Sequence, residues 1–580
     1  MSEHFVSATP ASAAATVTTT ATVANGLTRR GFLATAAIGA TGLAAAFAGC
    51  APSNTGSATS GSGDATATGA RSEGPVNVEE DLAAGITVEE TIDADVVVIG
   101  GGASGCMAAS LAAENGAKVI LVEKSNTLGG CFNLSFSATT WGYPYAPEGQ
   151  GKFELNPFIK DWVANSHWRC DPSVIRQLLV NSGEAYGWVA DHGFELMFLS
   201  FFGSDMLMLP DYALRPTTWR KIVDDVVVAK GGGQLLTETT AKKLLTDASG
   251  AICGVIAESD GKGVQINCKA VSISTGGYAG NPEMVLEASG FGGVNGSLPQ
   301  NIGEGLKMAW AVGATKPINF GGLMLHQTLA KATNDLVPIL EPFPAKYPMI
   351  STYLPMTLDV GASGVRFRDE SQILDPVAAA NSSAFQGAFH YKVFSKKILD
   401  TLQSEGLVGI GQMTKPGLPP EFQPEYAPET PWTDVYEVFD KMVELGFGYK
   451  GDTVEELAKN AGMDVDIFTQ TFASYESFCA TGDDLQFAKD AQFLLPYGNQ
   501  GPYYIVVAEI NNLGTWGGLL TNLNYQVLDD NRLVVKGLYA TGSEAGTNLY
   551  NDTYVGSGIG LCNTVTSGYL CGKAMAAFVK

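Results

Sequence analysis

The segment from residue 96 to residue 123 contains three glycines whose spacing is typical of a loop that binds a pyrophosphate. Gly100, Gly102 and Gly105 follow one apolar run, and a second apolar run ends at Glu123. Gly100 would make a tight turn, Gly102 would let the backbone approach the phosphates, and Gly105 would let a helix pack closely on its strand. Glu123 could accept a hydrogen bond from a ribose 2′-OH. The spacing therefore predicts a dinucleotide site, and this carboxylate argues against a 2′-phosphate.

Further glycine-containing segments are predicted to approach the same cofactor. A glycine pair lies at 129–130, and 271–275 is predicted to be a strand that ends in two more glycines. Near the C-terminus, 537–546 is predicted to be a strand and turn, and 556–560 the start of the last helix. The N-terminus of that helix could stabilise negative charge near N1 of a flavin. The other residues predicted to bind the cofactor are Ala103, Ser104, Lys124, Gly129, Gly130, Thr275, Gly276, Gly277, Gly542, Glu544, Gly560 and Leu561.

Length and composition favour a globular protein with more than one domain. The 580 residues exceed one compact core, and 45% of them are hydrophobic while 16% are charged. A net charge of −24 argues against nucleic acid as a partner and against binding to an anionic membrane through basic patches. Nine cysteines without a CxxC pair, together with five histidines, do not indicate a metal site. Composition therefore gives no support to a nucleic-acid-binding or metal-dependent function.

The first 50 residues have the pattern of an export signal. Arg29 and Arg30 precede an apolar, alanine-rich stretch that is too short to span a membrane comfortably, which is typical of a twin-arginine signal. Residues 47–50 at the end of this segment resemble the lipobox of bacterial lipoproteins, and the last of them is Cys50. Residues 51–90 are predicted to be a linker, since their first part has the composition of a flexible tether. The sequence therefore predicts an exported protein, lipid-anchored at Cys50 on the outer face of the cytoplasmic membrane.

The remaining chain is predicted to be an α/β protein with an inserted α+β domain. A Rossmann-like nucleotide-binding domain is expected over residues 91–325 and again over 506–580. A helical pattern over 171–192 is expected to be peripheral. Between the two parts prolines become frequent, helical patterns replace strands, and 453–456 has the Thr-x-x-Glu spacing of a capping box. This change predicts a capping or substrate domain over 326–505.

Several segments, in this order, resemble the superfamily of FAD-dependent fumarate reductases and 3-ketosteroid dehydrogenases. The resemblance covers nearly everything from residue 92 to residue 580. Its matching segments include 99–105, 122–124, 274–278, 301–314, 364–371 and 538–546. It implies a non-covalently bound FAD and a mobile cap that closes over a small unsaturated substrate. Since no second nucleotide fingerprint is present, it also implies an external, membrane-linked electron donor: a cytochrome, a quinol or a flavin carrier.

The residues that bind a dicarboxylate in fumarate-reducing members of this superfamily are mostly replaced. Tyr554 stands where those members have an arginine, Gly514 where they have a histidine, and Leu374 where they have the arginine that acts as an acid. His326 is the one position of this set that is retained, and it could equally be a structural histidine. Because a dianion needs charged, fork-shaped donors to replace its water, this pattern argues against a dicarboxylate substrate.

The pattern that remains resembles the ketosteroid dehydrogenases and the cardiac glycoside reductases. In those families a tyrosine and the glycine four residues after it contact the substrate carbonyl, and Tyr554 and Gly558 have that spacing. Their O–H and N–H would form an oxyanion hole for an enolate, while reduced flavin gives hydride to the β-carbon. Tyr554 could instead simply cover the flavin. The residues predicted to be catalytic are Tyr554, Gly558 and His326.

The proton donor is not identified by the sequence. Ketosteroid dehydrogenases place a tyrosine where this chain has Leu374, so other tyrosines become candidates by residue type alone. These candidates are Tyr212, Tyr347, Tyr353 and Tyr391. Arg366 and Arg368 lie in a stretch that is usually part of the cap framework, with a direct role as the second interpretation.

Three functions stay open at this point. The favoured one is an extracytoplasmic FAD-dependent reductase of a conjugated C=C bond in an enone or unsaturated lactone, of steroid type. The second is another FAD-dependent enzyme of the same class. It would reduce an unsaturated carboxylate of cinnamate or urocanate type, or it would be a 3-ketosteroid dehydrogenase running in the oxidative direction. The third is an electron-transfer flavoprotein without catalysis of its own, which the missing proton donor would explain.

Overall fold

Short apolar runs form the central sheet of the fold. Val96–Ile99, Val119–Val122 and Ala270–Ile273 are buried along their whole length, as expected of strands that are covered on both faces. They run parallel, with Val96–Ile99 between the other two. Because parallel strands end at the same edge of a sheet, the residues that follow them are brought together there.

The computed structural model of this protein describes most of the chain after residue 81. The described residues are 82–135, 137–201, 204–209, 211–290, 298–317, 322–329, 350–374, 376–387, 389–411, 428–550, 554, 556 and 558–580. They fall in one compact unit. The predicted signal, Cys50 and most of the predicted linker lie outside them, and so does Tyr347.

The strands and helices of this part of the chain alternate in the order expected of an α/β fold. The strands are β1 Val88–Asp93, β2 Val96–Ile99, β3 Val119–Val122, β4 Ser137–Thr139, β5 Met197–Phe201, β6 Ser204–Met208, β7 Gln234–Leu236, β8 Thr239–Thr246, β9 Ile252–Ser259, β10 Lys262–Asn267, β11 Ala270–Ile273, β12 Gly322–Leu329, β13 Leu358–Val360, β14 Phe389–Ser395, β15 Gly448–Gly451, β16 Tyr503–Trp516, β17 Gln526–Leu528 and β18 Val534–Ala540. The helices are α1 Ala103–Glu114, α2 Leu155–Asn165, α3 Pro172–Asp191, α4 Arg215–Val223, α5 Pro282–Ser289, α6 Glu304–Ala311, α7 Pro376–Ala384, α8 Lys396–Glu405, α9 Val435–Glu444, α10 Val454–Asn460, α11 Val465–Thr481 and α12 Ile559–Val579.

The strands form four sheets. The central sheet has the order β17-β18-β11-β2-β3-β7, and only its edge strand β17 is antiparallel to its neighbour. Strands β1-β10-β9-β8 form a second sheet, in which β8, β9 and β10 make an antiparallel meander. The third sheet, β12-β16-β14-β13 with β15 also on β16, is antiparallel. Strands β4, β6 and β5 form a short fourth sheet, and in the chain they come between β3 and β7 of the central sheet.

Two large hydrophobic cores support these sheets. The first packs the central sheet against α1 and α12. Small residues let those two helices approach closely, because a Cβ at Gly568 would lie 2.4 Å from the Ser104 carbonyl oxygen. The second core is built from residues between Ile350 and Val506, which fall within the predicted capping domain apart from the last. None of the helices in the described part of the chain is long and apolar enough to cross a membrane.

The helix α3, expected to be peripheral, is in fact buried against the site. A Cβ at Gly183 would lie 2.3 Å from the backbone of Gly142, and the Tyr186 hydroxyl donates to the Leu561 carbonyl at 2.9 Å. The expectation was wrong because the small and aromatic residues that bury this helix are spread over more than one of its faces. In contrast, Thr453 caps α10 as expected, accepting from the Glu456 N–H at 3.1 Å.

Candidate active site

The glycine loop after β2 has an open face at its second motif glycine. A Cβ at Gly100 would lie 2.3 Å from the Ser274 carbonyl oxygen, and one at Gly105 would lie 1.8 Å from the Gly100 oxygen. Close packing within the protein therefore explains why positions 100 and 105 are glycines. A Cβ at Gly102 would have the Ser274 carbonyl oxygen, 4.0 Å away, as its nearest atom, so the space there is open. This face at the N-terminus of α1 can receive a pyrophosphate.

Glu123 follows β3 at the same edge of the sheet. Its Oε2 accepts from the Gly101 N–H at 2.6 Å, and its Oε1 accepts from the Ser125 N–H at 2.7 Å. Each carboxylate oxygen keeps a further lone pair for a ribose hydroxyl. Lys124 makes an ion pair with Glu304, at the start of α6, with Nζ 2.5 Å from Oε2. The cofactor contacts of Lys124 and Glu123 therefore stay predictions, and the structure places the Glu123 carboxylate beside the glycine loop.

The glycine pair at 129–130 is held directly against this loop. The Gly129 N–H donates to the Gly101 carbonyl at 2.8 Å, and its own carbonyl accepts from the Ala103 N–H at 3.2 Å. A Cβ at Gly130 would lie 3.2 Å from the Gly102 Cα. The predicted turn thus borders the open face at Gly102.

Glu544 is a fully buried carboxylate that lies between two strand ends. Its Oε1 accepts from the Thr275 hydroxyl at 2.6 Å and from the Gly277 N–H at 3.0 Å. Burial raises the pKa of this carboxyl above its ordinary value. Its Oε2 is buried and has no partner among the described residues. Because a buried acceptor without a donor is costly, this oxygen fits a ligand that brings a hydroxyl group.

The residues after β18 connect the loop to the last helix. Gly542 donates its N–H to the Ser567 hydroxyl at 2.8 Å, and its carbonyl accepts from the Asn563 side chain at 2.7 Å. A Cβ at Gly542 would lie 2.6 Å from the Ser104 Oγ. At Gly276 φ is +85°, a conformation that favours glycine. These predicted residues therefore form the packed floor of the site.

Together the strand ends present the groups that FAD requires. The open face at Gly102 fits the pyrophosphate, Glu123 fits a ribose hydroxyl, and the free Glu544 oxygen fits a hydroxyl of the ribityl chain. These donors and acceptors come from β2, β3 and the turn after β18, which end at the same edge of the sheet.

Tyr554 lies just before α12 with its hydroxyl on the helix N-terminus. The hydroxyl oxygen accepts from the Gly560 N–H at 2.6 Å, and the side chain is 3% exposed. No acceptor for its own proton is seen among the described residues. Burial raises the pKa of Tyr554, so the group stays protonated in the neutral range. It is therefore a neutral hydrogen-bond donor, and Gly560, predicted to bind cofactor, contacts Tyr554 in this structure.

Aromatic rings surround Tyr554. Trp516 stacks on it with ring centroids 5.7 Å apart and planes 19° apart, and Tyr550 lies 5.7 Å away on another side. Trp162 stacks in turn on Tyr550 at 5.8 Å. The Trp516 indole N–H and the Tyr550 hydroxyl are buried and have no partner in the described residues. The described side chains that contact Tyr554 are thus aromatic and neutral, and they include donors without a partner among the described residues.

Gly558 forms the turn that starts α12. Its φ is +77°, and its carbonyl accepts from the Thr139 N–H at 3.0 Å. A Cβ at this position would lie 2.8 Å from the end of the Met206 side chain. Strands β4 and β6 therefore border the predicted oxyanion hole, although in this structure the Tyr554 hydroxyl contacts Gly560 and the joint contact with Gly558 stays a prediction.

The other predicted catalytic residue is only partly described. His326 lies in β12 opposite Asn511, and its side chain falls outside the described part of the chain. Leu374 is 48% exposed at the end of a short 3-10 helix, Glu370–Leu374. No group that could act as an acid stands at this position, so the proton donor is not found there.

Two of the candidate tyrosines already donate to backbone carbonyls. The Tyr353 hydroxyl is bonded to the Gln327 carbonyl, and the Tyr391 hydroxyl to the Ala461 carbonyl, within the antiparallel sheet and its helices. Tyr212 is 45% exposed. The structure gives no reason to place any of these three beside Tyr554.

Arg366 and Arg368 belong to the framework of the second core. Arg366 binds Glu370 at 2.8 Å and Asp484 at 2.8 Å, and its side chain is 1% exposed. Arg368 binds Asp359 at 2.6 Å. These guanidinium groups are occupied by buried carboxylates, which supports the framework interpretation over a direct role.

Sequence reasoning missed the aromatic neighbours of Tyr554. Trp516 lies in the GTWGG segment, two residues after Gly514. The family resemblance draws attention to the missing histidine at Gly514 and not to this tryptophan. Tyr550 lies four residues before Tyr554, a spacing that could have indicated a shared surface. Trp162 lies nearly 400 residues earlier in the chain, and no local pattern connects it to the site.

Known proteins support the cofactor and the fold. The FAD binding domain family matches residues 95–330 and 360–561. The chain is 28% identical over 490 residues to a vinyl phenol reductase of Lactiplantibacillus plantarum, covering 81% of this chain and 93% of the relative. It is 26% identical over 499 residues to a fumarate reductase (cytochrome) of Shewanella frigidimarina, covering 84% of this chain and 77% of the relative.

A solved structure of a 3-ketosteroid delta1-dehydrogenase from Sterolibacterium denitrificans is similar in fold. Its TM-score is 0.61 at 18% sequence identity, with 84% of this chain and 99% of the other covered. This similarity confirms the α/β fold with a Rossmann-like domain. The match to the FAD binding domain family confirms the FAD cofactor.

Proposed function

Since this chain belongs to the FAD binding domain family and is an FAD-dependent reductase of C=C bonds in unsaturated substrates, we propose that its substrate is an uncharged conjugated alkene, such as an enone or an unsaturated lactone. The observation that carries this proposal is the Tyr554 hydroxyl. It is buried, protonated and surrounded by aromatic rings, at the position where dicarboxylate reductases have an arginine.

A neutral donor suits an oxygen whose charge develops only during the reaction. When bound, reduced FAD supplies a hydride to the alkene. The Tyr554 O–H donates to the substrate carbonyl, and the Gly560 N–H on the phenol oxygen polarises that O–H. The enolate that forms is stabilised by this preorganised donor in a site shielded from water. A dicarboxylate would instead arrive with two charges that Tyr554 and its aromatic neighbours cannot pair.

The aromatic neighbours favour a flat, apolar substrate. Trp516 and Tyr550 lie against each other beside Tyr554, with ring centroids 5.5 Å apart, and each has a buried donor without a partner among the described residues. Such surfaces bind conjugated rings by stacking and leave a neutral oxygen its hydrogen bond. The similarity to a vinyl phenol reductase, which is named for an uncharged alkene, supports this substrate class.

A second candidate function is the reduction of an unsaturated carboxylate. The similarity to a fumarate reductase favours it. In that case an arginine outside the dicarboxylate pattern would hold a single carboxylate, as in a cinnamate or urocanate.

We further propose that the enzyme works outside the cytoplasm and receives electrons from a membrane-linked carrier. The twin-arginine pattern at 29–30, the lipobox-like end at Cys50 and the lack of a second nucleotide fingerprint in the sequence support this. Folded export suits a protein that must bind its cofactor first.

A substrate panel tests the proposed function. Purified enzyme with reduced viologen as donor is given a steroid 4-en-3-one, an unsaturated lactone, 4-vinylphenol, fumarate, cinnamate and urocanate. We expect an uncharged compound to be reduced at least about a hundredfold faster than every carboxylate. Faster reduction of a carboxylate would support the second candidate instead. Reduction of none, with a flavin that still cycles with the donor, would indicate electron transfer without catalysis.

A further inference from the structure

Arg215 is a buried cation that no carboxylate neutralises in the described part of the chain. It is 1% exposed and begins helix α4. The other two arginines buried to this degree, Arg366 and Arg368, each bind a carboxylate. Burial lowers the pKa of Arg215, and Tyr212, whose ring centroid lies 3.8 Å from the guanidinium, offsets this only in part together with Asp211. A guanidinium nevertheless stays charged at neutral pH, so the positive charge is retained.

The Arg215 guanidinium binds backbone carbonyls from two segments. Its Nη1 donates to the Phe132 oxygen at 3.0 Å, the Asn133 oxygen at 3.2 Å and the Ser135 oxygen at 2.6 Å. Its Nη2 donates to the Leu209 carbonyl. Its Nε is buried and has no partner among the described residues. The hydrogen bonds of the guanidinium group thus hold the residues after the glycine pair, the fastened segment, against the end of β6.

The fastened segment connects the two halves of the site. It begins at Gly130, beside the open face at Gly102, and it ends at Thr139, whose N–H binds the Gly558 carbonyl at 3.0 Å. Displacement of this segment would therefore shift both the cofactor loop and the turn that starts α12.

The Arg215 charge also lies near the start of α12. Tyr186, whose hydroxyl binds the Leu561 carbonyl at 2.9 Å, has its pKa raised by burial and, to a smaller degree, by Cys562 and Tyr554, whereas the Arg215 charge lowers that pKa. Tyr186 therefore lies near both the buried cation and Tyr554. Charges interact strongly across such an apolar interior, because little water screens them.

We propose that Arg215 is a positioning residue for the segment 130–139 and that its buried charge raises the reduction potential of bound FAD. Two electrons and one proton convert neutral oxidised flavin into an anionic reduced flavin. A nearby cation that is not paired with a carboxylate favours the anionic product. A higher potential would let the enzyme accept electrons from a weakly reducing external carrier.

The test compares two variants of Arg215 with a surface control. Arg215→Gln removes the charge but keeps an amide donor, and Arg215→Lys keeps the charge but loses the fork. The control is Arg220→Gln, on the same helix, where the arginine is 52% exposed and pairs with Asp224. Three readouts are taken on the FAD-loaded enzyme without substrate: the midpoint potential of FAD, its dissociation constant, and the melting temperature.

Arg215→Gln should weaken binding of reduced FAD relative to oxidised FAD by at least about tenfold, which is a fall of ~30 mV in the two-electron potential. Arg215→Lys should keep the potential but bind FAD several-fold more weakly. Arg220→Gln should change neither. An unchanged potential in Arg215→Gln, or a fall of the same size in Arg215→Lys, would overturn the role of the charge.

A separate result would contradict the positioning role of Arg215. It is wrong if Arg215→Lys binds FAD as tightly as the unmodified enzyme. If Arg215→Gln does not fold, Arg215→Lys still tests both points, since a fall in its potential would contradict the role of the charge and unweakened FAD binding would contradict the positioning role. None of these readouts depends on which substrate the enzyme reduces, so the proposed function can fail while this inference stands.

Discussion

At the scale of single residues, Gly102 and Gly105 have different surroundings, so substitutions of these two glycines are expected to have different effects. Gly102→Ala has room for its Cβ in the protein and an ordinary φ of −62°. The variant should fold normally but bind FAD at least about tenfold more weakly, because its methyl occupies the face that the pyrophosphate needs. Thermal melting of the FAD-free protein and titration with FAD measure the two effects.

Gly105→Ala is the matched control for that experiment. Its Cβ would lie 1.8 Å from the Gly100 carbonyl oxygen, so it should lower the free energy of unfolding by about 1–3 kcal/mol even without FAD. If Gly102→Ala bound FAD normally, the open face would not be the pyrophosphate site.

The buried Glu544 carboxylate gives a second prediction for cofactor binding. Glu544→Gln keeps an acceptor for Thr275 and Gly277 but replaces the unpartnered Oε2 with a donor group. Loss of a hydrogen bond to a charged group costs about 1.5–3 kcal/mol, so FAD should bind roughly ten- to a hundredfold more weakly in fluorescence titrations. Glu184→Gln, on a carboxylate that is 65% exposed, is the control. Equal affinities in the two variants would contradict the role of Glu544.

At the scale of elements, the buried ion pairs of the second core predict an acid-sensitive stability. Burial raises the pKa of Asp484, but its hydrogen bond to Arg366 outweighs this and lowers the pKa to about 2. The folded state therefore keeps the carboxylate charged where the unfolded chain would bind a proton. Stability from this group is complete above about pH 4 and is lost as the pH falls towards 2. The loss is on the order of 2 kcal/mol.

Asp484→Asn should remove this pH dependence. Urea unfolding at several pH values should show a variant that is less stable at neutral pH and that loses less stability between pH 4 and 2. Asp225→Asn is the control, because its pair with Lys221 is exposed and contributes little. Parallel pH profiles for the unmodified protein and Asp484→Asn would show that Arg366 does not hold this carboxylate charged.

The elements that position the cofactor could be predicted from sequence because their signals are local. Two apolar runs of four residues predicted β2 and β3, the segment 271–275 before a glycine pair predicted β11, and the structure places the three strands side by side. The position of α3 and the contacts of Trp162 and Arg215 could not be predicted. Those contacts join residues far apart in the chain, such as Trp162 and Leu549, whose indole N–H and carbonyl lie 2.7 Å apart. Local periodicity carries no information about such partners.

At the scale of the whole molecule, the proposed export predicts where the protein is found. In the native host, Cys50→Ala should move the enzyme from the membrane fraction to the soluble fraction outside the cytoplasm, because a lipid chain would no longer hold it. Cys479→Ala should leave it in the membrane fraction. Replacing both Arg29 and Arg30 with lysine should retain the enzyme in the cytoplasm. Fractionation with immunodetection measures each location, and a Cys50→Ala protein that stays on the membrane would contradict the anchor.

The central claim is that Tyr554 stabilises the enolate of an uncharged substrate. Its most direct test is a single turnover, in which pre-reduced enzyme is mixed with a steroid 4-en-3-one, or the best uncharged compound of the panel, and flavin reoxidation is followed by absorbance. We expect Tyr554→Phe to retain FAD and to be reoxidised about a hundredfold or more slowly than the unmodified enzyme, with fumarate ineffective for both. Equal rates in the two proteins, or rapid reoxidation by fumarate, would contradict the account.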